Sequence, residues 1–366
     1  MKKIVVVGLR GFPNVQGGIE KHCEELYPRI VAQGQYQVRV LARAGFHDAS
    51  VSEYRGVTIK TLWTFKSSGL EAFYHSFVSV LFAVFTRPDI LHVHAVGPGL
   101  FILLAKLGGL KVVFTHHGFD YRREKWGGLA RFVLRMGEYI ALKLSDQVIA
   151  VSGVAAQELR SMYRREVHTV NNGVTVQPGE GNQEYLINQS LVPGKYFLSV
   201  SRIVREKGQV ELVKSFQGLG NTDMKLVIVG DKGGGDYVEE LQDSIGDHSG
   251  IVMLGTVYGE NLQALFYSAA GFVHASSLEG NPIVVLEAMS YGLALRVSDI
   301  PAHRELKLDE SEYFPLGNAR ALSQGMQDIA ERDQELRSVE KIDRVKAEFD
   351  WDVVSDKTQA IYGLVV

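Results

Sequence analysis

The sequence is poor in features that would place it outside the ordinary intracellular globular proteins. Cys23 is the single cysteine among 366 residues, so an intrachain disulfide is impossible and a reducing compartment is expected. The longest apolar run, residues 77–85, is interrupted by Ser79 and is far shorter than the ~20 residues that span a bilayer. The apolar start, residues 4–7, is too short for a signal-peptide core and predicts a buried strand. The chain also lacks G-x-G-x-x-G and G-x-x-x-x-G-K-[ST], which disfavours a standard dinucleotide fold or a P-loop.

The formal net charge of −3 conceals two oppositely charged halves. Residues 1–185 hold 22 Lys and Arg against 15 Asp and Glu, a net +7, whereas residues 186–366 hold 17 against 27, a net −10. The basic half predicts contact with something anionic, such as a membrane surface. Nucleic acid is disfavoured as a partner, because the positive charge is modest and no recognition motif accompanies it.

Apolar strands alternate with amphipathic helices along most of the chain, which predicts α/β domains with parallel sheets. A hydrophobic content of 46% over this length suggests two domains. Periodicity is lost around residues 177–189, so we expect a first domain at 1–175, a linker at 176–192 and a second domain from 193 to 348.

The stretch most suggestive of function is residues 273–289, V-H-A-S-S-L-E-G-N-P-I-V-V-L-E-A-M. A short strand runs into a polar loop, and a helix is expected to follow with Asn281 as N-cap and Pro282 in its first position. Glu279 then lies ahead of the helix N-terminus and Glu287 in its second turn. The carboxyl end of a parallel strand is where α/β sheets bind ligands, so these carboxylates are predicted to accept hydrogen bonds from sugar hydroxyls while backbone amides hold phosphate. The alternative is that both are solvated surface charges.

A second candidate lies where the second domain begins. Arg202 and Lys207 are five residues apart at a strand-to-helix turn, a pairing suited to clamping a diphosphate. The alternative is an exposed basic turn.

Two places in the first domain also follow predicted strands. Gly17 and Gly18 begin a helix and permit close backbone approach to a phosphate or sugar, unless they form a plain tight turn. His117 follows a buried strand with Asp120 as a possible orienting partner, although a structural histidine would look the same. His92 and His94 share one strand face, and we expect them to be core histidines rather than metal ligands.

A basic, aromatic segment follows His117. It can lie on an anionic membrane or form a solvated helix face, and the sequence leaves both open. Its cations, the candidate acceptor or membrane residues, are Arg122, Arg123, Lys125, Arg131 and Arg135. Further on, Asp350 and Asp352 form the chain's D-x-D pattern, which suits either a divalent metal or, more simply, a helix cap.

Taken together, these motifs resemble the retaining glycosyltransferases of family 4. The resemblance rests on S-R-I-V-R-E-K-G at 201–208, E-G-N-P-I-V-V-L-E-A-M at 279–289, S-D-I-P-A-H-R-E-L at 298–306 and T-H-H-G-F-D at 115–120. The N-terminal G-L-R-G-F-P-N-V-Q-G-G-I-E-K-H is similar to the branch that builds bacterial surface polysaccharides. The resemblance implies a GT-B fold, with two Rossmann-like domains facing a central cleft. The first would be on the acceptor side, the second would bind a nucleotide sugar, and residues 349–366 would pack back on the first.

The resemblance also implies roles for the candidate residues. Arg202 and Lys207 would neutralise the donor diphosphate in place of a metal, Glu279 would contact the sugar hydroxyls, and His117 would hydrogen-bond the sugar near its reactive face. Gly17 and Gly18 would approach the diphosphate and the sugar. Backbone near Val257 would contact the base, and Glu287 would contact the ribose. The remaining donor-binding positions implied by the resemblance are Gly280, Asn281, Pro282 and Ile283. Arg296 departs from the family pattern, so either its side chain points to the cleft or its strand is less buried there.

The resulting expectation is a metal-independent enzyme without a cofactor. It would move sugar from a nucleotide-diphosphate donor, expected to be a UDP-sugar, to a lipid-linked or polysaccharide acceptor in cell-surface glycan synthesis. Its expected location is cytoplasmic, peripheral on the inner face of the membrane. A GT-B-type nucleotide-sugar epimerase and a non-catalytic nucleotide-sugar-binding subunit remain as alternatives.

Overall fold

A computed structural model describes residues 1–15, 17–65, 70–122, 126–176, 179–220, 222–231, 235–332 and 337–366. The chain divides into two compact units. The first combines residues 1–173 with residues 351–366, and the second comprises residues 174–350.

The described residues of the first unit form an eight-stranded sheet in the order β3-β4-β2-β1-β5-β6-β7-β8. Its pairings are parallel except for that of β3 with β4. The strands are β1 Lys2–Val7, β2 Tyr36–Arg43, β3 Glu53–Tyr54, β4 Val57–Leu62, β5 Ile90–His94, β6 Val112–His116, β7 Gln147–Ala150 and β8 His168–Thr169. The helices are α1 Gly18–Ala32, α2 Leu70–Thr86, α3 Val96–Gly99, α4 Ile102–Leu107, α5 Gly128–Leu144 and α6 Gly153–Tyr163.

Helices cover both faces of this sheet, which explains why β1 is continuously apolar. Ile4 and Val6 pack in one core with α1, whereas Val5 and Val7 pack in a second core on the opposite face. A strand buried on both faces has no polar side to alternate with, as is usual in parallel sheets. The sequence therefore predicted the strand correctly from an unbroken apolar run.

The described residues of the second unit form a six-stranded parallel sheet in the order β11-β10-β9-β12-β13-β14. Its strands are β9 Tyr196–Val200, β10 Lys225–Val229, β11 Ile251–Gly255, β12 Gly271–His274, β13 Ala294–Ser298 and β14 Tyr313–Phe314. Its helices are α7 Gln183–Asn188, α8 Gln209–Gln217, α9 Asp236–Ile245, α10 Gly259–Ser268, α11 Ile283–Ser290, α12 Pro301–Arg304, α13 Ala319–Ala330 and α14 Val339–Glu348.

The expected linker at 176–192 contains a helix that the sequence did not predict. Helix α7 buries Leu186 in the core of the second unit. Asn182, just ahead of it, donates from its backbone N–H to the carbonyl of Glu260, 3.0 Å away. Much of this polar, glycine-containing stretch is therefore folded onto the second unit.

The last helix, α15 at Trp351–Gly363, returns to the first unit and packs along α1. Trp351 is buried at its start, and Asp352 accepts a hydrogen bond from Arg29 of α1 at 3.0 Å. The return of this helix, which the resemblance implied, is confirmed. Asp352, the second acidic residue of the D-x-D pattern, therefore forms an ion pair with Arg29 of α1.

Candidate functional site

The strand order of the second unit creates a crevice at its centre. From β9 the chain moves outwards to β10 and β11, then crosses back to β12 on the other side of β9. The loops that follow β9 and β12 therefore leave the same edge of the sheet in opposite directions. This change of direction is where doubly wound α/β sheets bind ligands. The loop after β9 carries Arg202 and Lys207, and the loop after β12 carries Glu279.

Backbone contacts fix these two loops against each other. The amide of Ser277 donates to the carbonyl of Glu206 at 2.9 Å, and the Ser276 hydroxyl donates to the same oxygen at 3.1 Å. Gly208 turns with a φ of +67°, and a Cβ there would lie 2.5 Å from the carbonyl oxygen of Ala275. Glycine is thus required for the close approach that brings Lys207 to the second loop.

Lys207 and Glu279 form an ion pair at this crevice, and their side chains are only 14% and 11% exposed. The Nε2 of His274 lies 2.8 Å from the same carboxylate oxygen. Burial alone would raise the pKa of Glu279, but the Lys207 ammonium and the His274 hydrogen bond outweigh it and hold this pKa well below its ordinary value. Glu279 is therefore a fixed anionic acceptor, and His274 donates to it through Nε2.

The other residues predicted for the donor site in this unit lie on the following elements. Arg202 is exposed at the start of the loop after β9, and its guanidinium lies 3.8 Å from the Glu206 carboxylate. Glu287 is in the second turn of α11, as predicted. Val257 is buried beyond the end of β11.

The predicted helix cap was wrong by one residue. Helix α11 begins at Ile283 with Pro282 as its N-cap, because Pro282 has an extended ψ of 90° rather than a helical one. Asn281 is buried before the helix, and Gly280 is partly exposed beside Glu279.

The strand order of the first unit creates a similar crevice, between β1 and β5. Gly17 follows the loop after β1, as the N-cap of α1, and Gly18 is the first helical residue. Arg10, in that loop, pairs with Glu20 of α1 at 3.0 Å, and a Cβ on Gly17 would lie 2.0 Å from a Glu20 carboxylate oxygen. A larger residue at position 17 would therefore displace this ion pair.

His117 lies just beyond β6, and its described partner differs from the one predicted. The Nε2 of His117 is 2.8 Å from Nδ1 of His94, at the end of the neighbouring strand β5, whereas the sequence suggested Asp120. The preceding His116 is bonded to Glu138 at 2.9 Å and accepts from the Gly118 amide at 3.3 Å. This arrangement shapes the loop that carries His117. The reason for the different partner is the pairing of β5 with β6, which places these strand ends side by side.

Of the cations in the basic segment after His117, some contact other side chains of the first unit and some are exposed. Arg122 pairs with Glu158 and lies 3.9 Å from the centre of the Phe119 ring. Arg131 and Arg135 are exposed on α5. Arg123 and Lys125 fall outside the described residues.

Arg296 fits neither alternative suggested by the sequence. It is buried on β13, donates to the Leu295 carbonyl at 2.9 Å and pairs with Asp328 of α13 at 3.2 Å. A Cβ on Gly325 would lie 2.2 Å from the Arg296 Nε, so this glycine provides the space. Arg296 is thus a structural link between β13 and α13.

Within the described residues, two groups have the spacing of a metal site: His22, His94 and His117 in the first unit, and His274, Glu279 and His303 in the second. In the second group Lys207 already supplies a cation to the carboxylate. In the first group, two of the nitrogens are hydrogen-bonded to each other. The absence of a metal requirement remains a prediction.

The sequence missed His274, His303 and the role of His94. His274 and His94 each end a strand beside a predicted site, a position that could have flagged them. His303 donates through Nδ1 to the Ser298 carbonyl at 2.7 Å, and burial lowers its pKa to about 4. No local sequence pattern marks His303, because His274 and Glu279, which lie near it in the structure, are more than twenty residues away in the sequence.

Comparison with known proteins agrees with the division into two α/β units. A family model described as Glycosyltransferase Family 4 matches residues 16–177, and one described as Glycosyl transferases group 1 matches residues 184–344. The solved structure of sucrose-phosphate synthase from Thermosynechococcus elongatus superposes with a TM-score of 0.84 at 17% identity, covering 99% of this chain and 98% of that one. Anabaena HepE in complex with UDP-glucose gives a TM-score of 0.80 at 17% identity, covering 99% and 100%.

Relatives with higher sequence identity match over shorter segments. An uncharacterized glycosyltransferase of Methanocaldococcus jannaschii is 28% identical over 246 residues, 63% of each protein. The putative teichuronic acid biosynthesis glycosyltransferase TuaC of Bacillus subtilis is 26% identical over 223 residues, 58% of this chain and 54% of the relative. The chain thus spans less than two thirds of the length of these two curated relatives.

The fold and the two matched domains define the class of protein: a glycosyltransferase with the GT-B fold. Within that class, the chain belongs to the proteins that join a family 4 domain to a group 1 domain.

Proposed function

We propose that this protein is a retaining glycosyltransferase that takes sugar from a UDP-sugar and needs neither metal nor cofactor. The acceptor is a lipid-linked or polysaccharide chain in cell-surface glycan synthesis. The observation that carries the proposal is the Lys207–Glu279 ion pair at the crevice of the second unit. Two similar proteins support it: Anabaena HepE, whose solved structure holds UDP-glucose, and the Bacillus relative, a putative glycosyltransferase of teichuronic acid biosynthesis.

The chemistry follows from where charge develops. The bond from the anomeric carbon to the diphosphate oxygen breaks, and a new bond forms to an acceptor hydroxyl. The hydroxyl proton passes to the departing phosphate on the same face of the sugar, so the anomeric configuration is retained. Negative charge builds on the diphosphate, where the Lys207 ammonium and Arg202 stabilise it without a metal. Glu279, kept anionic, accepts hydrogen bonds from the sugar hydroxyls.

The remaining contacts to the donor are assigned by the same proposal. Glu287 holds the ribose, His117 hydrogen-bonds the sugar, and backbone beside Val257 meets the base. The other donor-binding positions are Gly17, Gly18, Gly280, Asn281, Pro282 and Ile283.

Donor binding is tested by thermal unfolding with UDP, GDP, dTDP or ADP, each with Mg²⁺ and with chelator, followed by the matching nucleotide sugars. A ligand at ~100 times its Kd stabilises the folded protein by about 2.7 kcal/mol. We expect UDP to raise the Tm equally in both conditions. A shift that needs Mg²⁺ would contradict the metal-free clamp. Conversion of the donor to its epimer without acceptor would identify an epimerase, and no response to any nucleotide or nucleotide sugar would favour a non-catalytic subunit.

The second part of the proposal is that the protein attaches to a lipid surface. The evidence for it is a set of exposed side chains on the first unit. Helix α5 exposes Phe132, which is 61% accessible, with Leu129 and Met136 on one face, and Arg131 and Arg135 flank that face. The neighbouring helices α2 and α4 add further exposed apolar side chains: Phe73, Phe77, Phe85, Leu103 and Leu107. In the described part of the chain, no helix combines the length and apolar character needed to cross a bilayer. An apolar face beside arginines suits peripheral attachment to anionic lipid.

Flotation with vesicles tests this attachment. Wild type is expected to float with vesicles containing anionic lipid and much less with neutral ones. Replacing Arg131 and Arg135 by Gln removes about 2 kcal/mol of attraction, a loss of about thirty-fold in partitioning. Phe132→Ser should weaken binding further. Matched controls are Arg320→Gln on α13 and Ile187→Ser on α7, both exposed in the second unit. Binding that ignores lipid charge would contradict the proposal.

A further inference from the structure

Three histidines of the first unit bring ring nitrogens together at one place. His22 lies on α1, His94 ends β5, and His117 follows β6. One nitrogen from each ring lies within 4.8 Å of the other two. His22 and His94 are buried, whereas His117 is partly exposed. A small ligand can therefore reach the cluster from the His117 side.

The distances in this cluster are close to those that a metal ion needs. Nitrogens that each lie about 2.0–2.1 Å from a tetrahedral zinc ion are about 3.3 Å from one another. Nδ1 of His94 and Nε2 of His117 are 2.8 Å apart, so this pair has to open by about 0.5 Å. The longer distances have to shorten by at most about 1.5 Å, which small rotations of the rings can supply.

Two of the rings already have hydrogen-bond partners suited to a metal ligand. Nδ1 of His22 lies 2.9 Å from Oδ1 of Asn172, which accepts a proton and leaves Nε2 with its lone pair. Among the described residues, nothing is hydrogen-bonded to that Nε2. Nε2 of His94 faces the Tyr27 hydroxyl, whose oxygen can accept from it. Histidines that ligate a metal almost always donate their other N–H to such a partner.

The rings are in the protonation state that a metal requires. Burial lowers the pKa of His22 to about 4, and burial with the neighbouring histidines holds the pKa values of His94 and His117 well below the ordinary value. Neutral imidazole is the form that binds metal. The hydrogen shared between His94 and His117 has to make way for the ion, so each ring then carries its single proton on its outer nitrogen, and no proton is released.

The chemistry of the donor set selects the kind of metal. Three imidazole nitrogens suit Zn²⁺ and its neighbours Co²⁺, Ni²⁺ and Cu²⁺, whereas Mg²⁺ prefers oxygen ligands. The histidine group of the second unit is less suitable, because the Lys207 ammonium already neutralises Glu279 and would repel a metal ion there. The first unit therefore has the better site for a transition metal.

We infer that His22, His94 and His117 form a binding site for a divalent transition metal of the zinc type, and that the bound metal inhibits sugar transfer. The metal site follows from the geometry of the first unit alone. The inhibition rests on the proposed function, in which His117 hydrogen-bonds the donor sugar, because a ring held by a metal is no longer placed to make that bond. Transfer then needs no metal but responds to one.

Metal binding is measured on the chelator-treated full chain, with Co²⁺ as the first probe. One Co²⁺ per chain should give the visible absorption of a site with nitrogen ligands, and Zn²⁺, but not Mg²⁺, should displace it. Asn172→Ala keeps all three ligands and should weaken Zn²⁺ binding by about 10- to 100-fold, the usual effect of losing the partner of a ligand. His22→Gln removes a ligand and should weaken binding by more than about 100-fold.

Two control variants remove histidines elsewhere. His303→Gln disables the histidine group of the second unit, and His168→Leu on β8 removes a ring that bonds Gln147 at 2.8 Å. Both should bind Zn²⁺ like the wild type. If His22→Gln fails to fold, His117→Gln, at the partly exposed ligand, replaces it in the binding measurement. No saturable binding by the wild type, unchanged binding in the ligand variants, or loss of binding in His303→Gln would overturn the metal site.

Initial rates of sugar transfer give the second readout. Free Zn²⁺ buffered at about ten times its Kd should lower the rate to about one tenth, and chelator should restore it. His22→Gln keeps His117 and should transfer sugar without this inhibition. Metal binding without any sugar transfer would retain the metal site and overturn the proposed function. Transfer that continues unchanged with metal on these histidines would overturn the inhibition and, with it, the contact of His117 with the donor sugar.

Discussion

Lys207→Ala is expected to lower kcat/KM for sugar transfer by about 10²- to 10³-fold, the usual effect of removing one group that stabilises charge in a transition state. The ammonium lies beside Glu279 at the crevice of the second unit, where the diphosphate of a donor would leave with growing negative charge. Initial rates with a UDP-sugar, measured against the exposed Lys214→Ala of α8 as a matched control, would test the loss. Rates equal to those of that control would contradict the assignment.

Lys207→Ala can lose activity either because a catalytic cation is gone or because the protein is less stable, and a second variant separates these two causes. Alanine at 207 leaves the Glu279 carboxylate partly buried without its ammonium, which destabilises the protein whatever the function of the pair. The double variant Lys207→Met with Glu279→Gln removes both charges together. We expect it to recover thermal stability relative to Lys207→Ala but to remain inactive. Recovery of activity in the double variant would show that the pair is structural only.

Lys207 and Glu279 could be selected as candidates from the sequence because each lies in a loop that follows a predicted strand. Parallel strands align their carboxyl ends at one edge, so residue types at these points predict a site before any distance is known. The bounds of strand β10 and helix α5 can be read from the sequence, because their apolar patterns end abruptly at polar residues or glycine. The parallel α/β architecture followed from the same alternation.

Other elements leave little trace in the sequence. Strands β3 and β14 have two residues each, and α7 has six, so none is long enough to produce a periodic pattern. Side-chain partnerships were harder still. His94 and His117 are 23 residues apart, and Arg296 and Asp328 are 32 apart. Such pairs depend on strand order and helix packing, which local residue types do not specify.

Trp351→Ala should lower the free energy of unfolding by about 3–5 kcal/mol, the range for removing a large aromatic side chain from a core. Trp351 is 1% exposed at the start of α15, and its ring lies 5.6 Å from that of His22. Gly173 faces this ring so closely that a Cβ there would lie 2.5 Å from the Cδ2 of Trp351. Gly173→Ala should therefore destabilise the same contact from its other side, by overpacking instead of by a cavity.

The measurement is urea unfolding followed by far-UV circular dichroism, fitted with two transitions where two are seen, because the chain has two compact units. Trp63→Ala is the matched control, since Trp63 is 63% exposed and its loss should be worth about 1 kcal/mol or less. If Trp351→Ala unfolds like this control, the first unit does not depend on α15. If both Trp351→Ala and Gly173→Ala are destabilised, the last sixteen residues are an integral part of that unit, and the buried hydrogen bond between Tyr362 of α15 and His92 of β5 depends on them too.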